Sequence, residues 1–310
     1  LFLSGVILMV QAVTYQHIIQ GFFSSITGNG IDYQSSPRMG LMRAQGSFAH
    51  PIQAGVFLAS FLSLYWLAGF KFWVKISGAL AAMLSFATVS SVTLLALAFG
   101  IALLVYHWLT ELVVNITWRL LFIFSGLFIF AAEIGTSSGT FGLLMRFGSL
   151  NAVSAYARIN IWKYGSENVA QNPWFGLGYA DWDRPIWMVD SVDNYWLLTA
   201  MRFGIPAVFF LGLAAFLAIM MLMRRTMTSS YVEARFERGV AIATGIFTLS
   251  IVSASIWLQP QVWYFMLLGI AVSLATAARP IPRGSIRAPL PDPDTLNLQH
   301  PLESAHPRPS

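Results

Sequence analysis

The sequence predicts an all-α protein: a polytopic transmembrane helical bundle with a long extracytoplasmic helical loop. Three observations predict it. Of 310 residues, 56% are hydrophobic and 10% charged, with a mean hydropathy of +0.65, whereas a soluble domain carries roughly 25% charged residues. Apolar runs recur whose lengths, at about 1.5 Å per helical residue, approach the ~30 Å of a bilayer's hydrocarbon. Most lysines and arginines fall in short segments between those runs, while one long stretch, 135–203, is polar and rich in aromatic side chains.

In chain order, length and flanking charge give spans at 1–16, 51–70, 72–90, 92–109, 118–134, 205–223, 239–257 and 262–278. The first begins inside an apolar run with no positive residue before it, which is neither a signal peptide nor a natural start. Further membrane helices are therefore expected upstream. If Lys71, Lys75, Arg119, Arg224, Arg225, Arg235, Arg238, Arg279, Arg283 and Arg287 are cytoplasmic, the excess of positive charge lies inside. The outer side then receives 20–50, a turn at Ser90-Ser91, the loop 135–203 and a turn at 259–261. The membrane domain runs over 1–278. The tail, 279–310, is rich in proline and polar residues and is expected to be disordered in the cytoplasm.

Composition also excludes. A net charge of +5 and a pI near 9.6 do not indicate nucleic acid, because the cations sit in orientation-setting loops. Without cysteine there is no disulfide, thiolate nucleophile or cysteine metal site. His17 and His107 are isolated, and no His/Asp/Glu cluster points to zinc, so no metal or cofactor is expected.

The outer loop is where the chemistry concentrates. Thr136 and the small residues after it make an irregular entry. Asn151 is placed to cap a helix through about Asn168, with Arg158, Ile161, Trp162 and Gly165 on one stripe. Asn172-Pro173 ends that helix. The stretch 172–210 then holds six tryptophan or tyrosine side chains, four aspartates and two arginines. Asp193-Asn194 opens a short helical pattern with Asp193, Trp196, Leu197 and Ala200 on one face. Gly204 and Pro206 interrupt it before the next span, so 193–203 reads as a short helix at the membrane surface with Arg202 at the boundary.

Each candidate has a chemical and a bland reading. Arg43, Arg158 and Arg202 suit a diphosphate, since a guanidinium meets two phosphate oxygens at once and keeps its charge; an outward arginine also anchors to lipid headgroups. His50, before Pro51, either contacts substrate or only begins a helix. Asp193 is either a general base or the cap of the helix it opens. Asp181-Trp182-Asp183 has the form of a metal-binding pair, though two aspartates in a solvated loop are commoner. Trp174, Trp182, Trp187, Tyr195 and Trp196 either stack on sugars or anchor at the interface.

Three segments carry a resemblance: RAQGSFAHPIQAG at 43–55, ARINIWKYGSENVAQNPWFGLGYADW at 157–182, and VDNYWLLTAMRFGIPAV at 192–208. In order and spacing they resemble the bacterial O-antigen ligases and O-antigen polymerases, polytopic glycosyltransferases of the inner (cytoplasmic) membrane. The resemblance implies transfer of a glycan from a polyprenyl-diphosphate carrier to an acceptor hydroxyl, in lipopolysaccharide or exopolysaccharide synthesis, without metal or nucleotide sugar. The acceptor is either a glycan on another carrier, for a polymerase, or lipid A core, for a ligase. It implies that Arg43 and Arg158 hold the diphosphate; Arg202, His50, Asn194 and Trp162 are candidates for further substrate contacts from the residues themselves. Ligases of this family commonly have His-Asn where this chain has Asp193-Asn194. Asp193 can still take a proton from an attacking hydroxyl, and the replacement tilts the expectation toward polymerase. The alternative from another class is a polar-solute transporter, which would place its polar groups near the bilayer midplane.

Overall fold

Ten helices account for the ordered elements of the computed structural model, which describes residues 1–28, 37–136, 140, 142 and 152–277. They are α1 (Phe2–Thr14), α2 (Ile18–Thr27), α3 (Pro51–Leu67), α4 (Phe72–Leu84), α5 (Ser91–Leu112), α6 (Trp118–Gly135), α7 (Ala152–Gln171), α8 (Tyr195–Arg225), α9 (Tyr231–Ser250) and α10 (Gln259–Thr276). A 3-10 turn, Ser85–Thr88, follows α4. No strand occurs among the described residues, whose one isolated β-bridge pairs Arg38 with Leu41.

The all-helical expectation holds, and the span count is corrected. Three helices, α5, α6 and α8, are long and apolar enough to cross a membrane; α1 and α2, bent by 90°, make a fourth if taken as one span. The bend falls at Tyr15, in left-handed backbone, so what reads as one clipped span followed by a loop is a helix pair. α3 and α4 are shorter apolar helices. α9 begins eight residues before the expected 239, taking in Glu233, Arg235, Glu237 and Arg238, and stops at Ser250, where a serine-rich segment breaks it. The turn expected at 259–261 is instead the first turn of α10. Asn151, the expected cap, and the tail 279–310 lie outside the described residues.

α3 is the axis of the bundle and packs on α4, α5 and α9. Small residues permit the close crossings: a Cβ on Gly55 of α3 would lie 1.7 Å from the Thr93 hydroxyl of α5, and one on Gly239 of α9 would lie 3.1 Å from the Ser63 carbonyl of α3. The Ser63 hydroxyl donates to the Gly239 carbonyl at 3.0 Å. In an apolar solvent such close contact replaces the hydrophobic effect as the force between helices. Val56, Val92, Phe247 and Tyr264 lie in the main core, the last two stacked at 5.4 Å.

The bundle has two chemically distinct ends. α5 runs from Ser90 at one end to His107 near Arg238 at the other, and α8 runs from Asn194 to an Arg225–Glu237 ion pair of 2.7 Å. Arg224, Arg225, Arg235 and Arg238 thus gather at the end opposite the start of α8.

That start is pinned by backbone. Gly204 interrupts α8 with φ 84 and ψ 171, leaving a short helix, 195–203, followed by the apolar one, as Gly204 and Pro206 predict. The loop after α7 fills the break: Leu177 and Gly178 donate to the carbonyls of Met201 and Arg202 at 2.6 and 3.0 Å, and Ile205 donates to Pro173 at 2.8 Å. These bonds satisfy two carbonyls and one N–H that the interrupted helix leaves open. A Cβ on Gly204 would lie 2.3 Å from the Trp174 carbonyl oxygen. Gly204→Ala therefore combines a left-handed φ with a backbone collision, and is expected to cost on the order of 3 kcal/mol. Thermal melting would show a lowered midpoint, and limited proteolysis faster cleavage near residue 175.

Candidate functional site

Three remote parts of the sequence meet at the end of the bundle where α3, α5 and α8 begin. The segment around Arg43 is held from both sides. The Met42 amide donates to the Ala12 carbonyl at 3.1 Å and the Ala44 amide to Ala87 at 3.3 Å. Gly46, in left-handed backbone, donates its N–H to Gln11 Oε1 at 2.9 Å, and its carbonyl accepts from Gln20. Buried glutamines of α1 and α2 thus lock the Arg43 loop in place. Just upstream, Met39 and Gly40 both have positive φ between the paired Arg38 and Leu41, a tight reversal that turns Arg38 back toward Arg43. From α7, Arg158 is buried on the same face as Ile161, Gly165 and Asn168. Gly165 lets α7 approach Leu197 of α8, where an added Cβ would lie 2.7 Å from Cδ2.

The result is a small cavity of about 130 Å³ lined by Arg38, Arg43, Arg158, His50 and Asp193, room for about four waters. Ser90 and Ser154 add hydroxyls, and Ile52 and Ala157 complete the lining. Four of the residues picked from sequence therefore converge: Arg43, His50, Arg158 and Asp193.

The charge is unbalanced, three arginines against one aspartate. Burial, then Arg38 and Arg158, push the Arg43 guanidinium down to about 10, with Asp193 pulling the other way. Burial likewise lowers Arg158, again with Asp193 opposing. Both stay protonated at neutral pH, so each depression reflects chiefly the cost of burying a guanidinium, with the neighbouring arginines adding to it. Arg43 Nε is buried with no hydrogen-bond partner, as is the Ser90 hydroxyl, whose residue is 1% exposed. The first turns of α3, α5 and α8 add the positive ends of three helix dipoles. An anion with several oxygens satisfies all of these groups together.

His50 caps α3 through Nδ1, which accepts the Ile52 N–H at 3.2 Å. In the neutral ring the proton is then on Nε2. Burial and Arg43 lower its pKa from 6.5, with Asp193 opposing. Because the folded value is depressed, stability is full above 6.5 and falls as pH drops from there toward the folded pKa, where only the unfolded chain takes up the proton. His50→Asn, a cap that does not titrate, is expected to shrink the loss of melting temperature between pH 7 and pH 5.

Asp193 is not the cap of α8. Asn194 is: its Oδ1 accepts the Leu197 N–H at 3.0 Å. One residue of offset leaves the Asp193 carboxylate with no hydrogen bond or close ion pair among the described residues. An ionised carboxylate so placed can accept a proton.

The remaining candidates lie elsewhere. Arg202 packs over Tyr179 at 4.9 Å and lines a second cavity. Trp162 is exposed, one step off the buried stripe of α7, and lines neither cavity. Trp182 is largely buried but lines the second cavity, Tyr195 is buried in the main core, and the partly buried Trp196 donates to the Thr248 carbonyl at 3.2 Å. Asp181 is engaged by Arg184 and by the Trp182 amide. No group of three or more acidic, histidine or cysteine side chains able to hold a metal occurs among the described residues. Sequence reasoning missed Arg38, Ser90 and Ser154. Arg38 was signalled by its place five residues before Arg43 on an outward loop; Ser90 reads only as a helix turn.

Compared with known proteins, the chain matches no family model and no curated sequence. What the cavity is for rests on its chemistry.

Proposed function

We propose that the protein is a membrane glycosyltransferase that moves a glycan from a polyprenyl-diphosphate carrier to an acceptor hydroxyl during surface-polysaccharide assembly. The observation that carries this reading is the cavity itself: three arginines, two of them with depressed pKa values, at three helix N-termini beside one uncommitted carboxylate. A diphosphate esterified at both ends carries one ionised oxygen on each phosphorus, which matches the excess of two positive charges. Its carrier tail belongs in a bilayer, and the bundle offers three or four helices apolar and long enough to span one.

In this reading the lining residues take the following roles. Arg38, Arg43 and Arg158 hold the diphosphate and neutralise charge as it develops on the leaving group, so no acid is needed there. The acceptor oxygen attacks the anomeric carbon, the bond from that carbon to the phosphate oxygen breaks with its electron pair on the diphosphate, and the hydroxyl proton passes to Asp193. The neutral His50 donates Nε2–H toward the same cavity. The arginine-rich opposite end, by the positive-inside tendency, faces the cytoplasm, which puts the cavity on the periplasmic side of the bacterial inner membrane.

A carboxylate at 193 favours a polymerase, extending glycan on the carrier, over a ligase to lipid A core. The full-length parent gene placed in polymerase-null and ligase-null hosts of matching glycan tests this, with surface polysaccharide read on a gel. Long chains restored in the first host, and lost with Asp193→Ala, support a polymerase; attachment to lipid A core restored only in the second makes it a ligase. No restoration in either counts against the reading.

A further inference from the structure

A second cavity, about 450 Å³, shares Asp193 with the arginine cavity. Its size is that of a site for a molecule of several rings, where the arginine pocket holds only a small anion. Its charge is also opposite in kind. Asp190 and Asp193, with Asp181 paired to Arg184, line it against the guanidinium of Arg202. Such a wall repels a diphosphate and offers acceptors to hydroxyl donors, each ionised carboxylate presenting two oxygens. Ser191 and Ser255 add hydroxyls. Tyr179, largely exposed, and Trp257, half-exposed from the segment between α9 and α10, supply aromatic surface.

The walls are fixed before any ligand arrives. Leu177 and Gly178 are bonded to the end of the short helix of α8. Trp182 Nε1 donates to the Asp190 carbonyl at 3.0 Å, tying the two strands of the loop. Asn168 of α7 donates to the Asp183 carbonyl at 2.8 Å and accepts the Asp183 N–H at 2.9 Å. Rigid polar and aromatic walls reduce the ordering cost of binding a flexible polyol.

We infer that this larger cavity is the acceptor subsite, binding the terminal sugars of a neutral or hydroxyl-rich glycan so that one hydroxyl reaches Asp193, the residue it shares with the arginine cavity. The inference rests on the transferase reading for its direction, and on the cavity alone for its ligand class. It also differs in part from the sequence expectation in its aromatic residues: Tyr179 and Trp257 join Trp182 in the lining, while Tyr195 and Trp196 lie outside it.

Two probes separate the two claims. The full-length protein, purified in detergent, is titrated calorimetrically with farnesyl diphosphate and, separately, with the repeat-unit oligosaccharide released by mild acid from the producing cell's own surface polysaccharide. Asp190→Asn and Tyr179→Ala are expected to weaken oligosaccharide binding about tenfold or more, the scale of one lost hydrogen bond to a charged group, and to leave farnesyl diphosphate binding unchanged. Arg158→Met is expected to do the reverse. Tyr179 is so exposed that its truncation tests the site without threatening the fold. Oligosaccharide binding that is absent, or indifferent to both Tyr179→Ala and Asp190→Asn, overturns the subsite. Oligosaccharide binding that responds to them in a protein blind to farnesyl diphosphate upholds the saccharide site and sinks the transferase reading instead.

Discussion

Arg43→Met and Arg158→Met are each expected to lower glycan transfer by about 10²–10³-fold, the scale for losing one preorganised donor to a developing negative charge. Methionine keeps most of the apolar stem, so the loss is of charge and hydrogen bonds, not packing. Arginine-to-lysine changes should recover only part of the activity, because a point charge cannot span two phosphate oxygens. Stability should move the other way for Arg43. Its Nε has no partner, and its guanidinium is depressed by burial and by Arg38 and Arg158. Arg43→Met removes that repulsion, and the melting temperature of the ligand-free protein should be unchanged or higher. Activity lost along with several degrees of stability would instead mark Arg43 as a structural residue. The same imbalance predicts that inorganic diphosphate raises the melting temperature of the wild-type protein and not of the Arg43→Met variant.

Asp193→Asn is expected to lower transfer by about 10²–10⁴-fold, the range for a positioned general base. Because it also deletes the one negative charge in the arginine cavity, donor binding should tighten while turnover collapses. That split is the signature of a base; a residue that merely shaped the pocket would lose both. Asn194→Ala is the matched control. It removes the α8 cap, at about 1 kcal/mol of stability, but leaves the carboxylate one residue away. Transfer that survives in Asp193→Asn, or falls equally in both variants, would remove Asp193 from the chemistry.

The helical fold was legible because apolar length and loop charge carry it. Its breaks were harder. The 90° turn at Tyr15 depends on buried Gln11 and Gln20 closing on Gly46, a contact between residues far apart in sequence. α9 stops at Ser250 where hydropathy alone continues, and its Tyr195 contacts explain the stop: the Tyr195 amide lies 3.0 and 3.1 Å from the carbonyls of Ile251 and Ala254, which need an unwound chain to point there. At the site, Arg43, His50, Arg158 and Asp193 could be found because their chemistry is local to each motif. Arg202 sits at the end of the short helix as expected but lines the other cavity, because its neighbours come from a loop folding back on α8, with Tyr179 of that loop against it. Whether Asp193 caps the helix stayed open because aspartate and asparagine both cap well, and the backbone turn at Asn194 decides it.

The most direct measurement of the central claim is conversion in a closed system. The full-length protein, reconstituted in liposomes with a polyprenyl-diphosphate-linked glycan and its acceptor, and with chelator present, is followed by gel and mass spectrometry. Glycan moved to the acceptor with release of the polyprenyl diphosphate, abolished by Arg158→Met and by Asp193→Asn, is the predicted result. A donor that is bound but left intact by folded wild-type protein, with every acceptor offered, would contradict it.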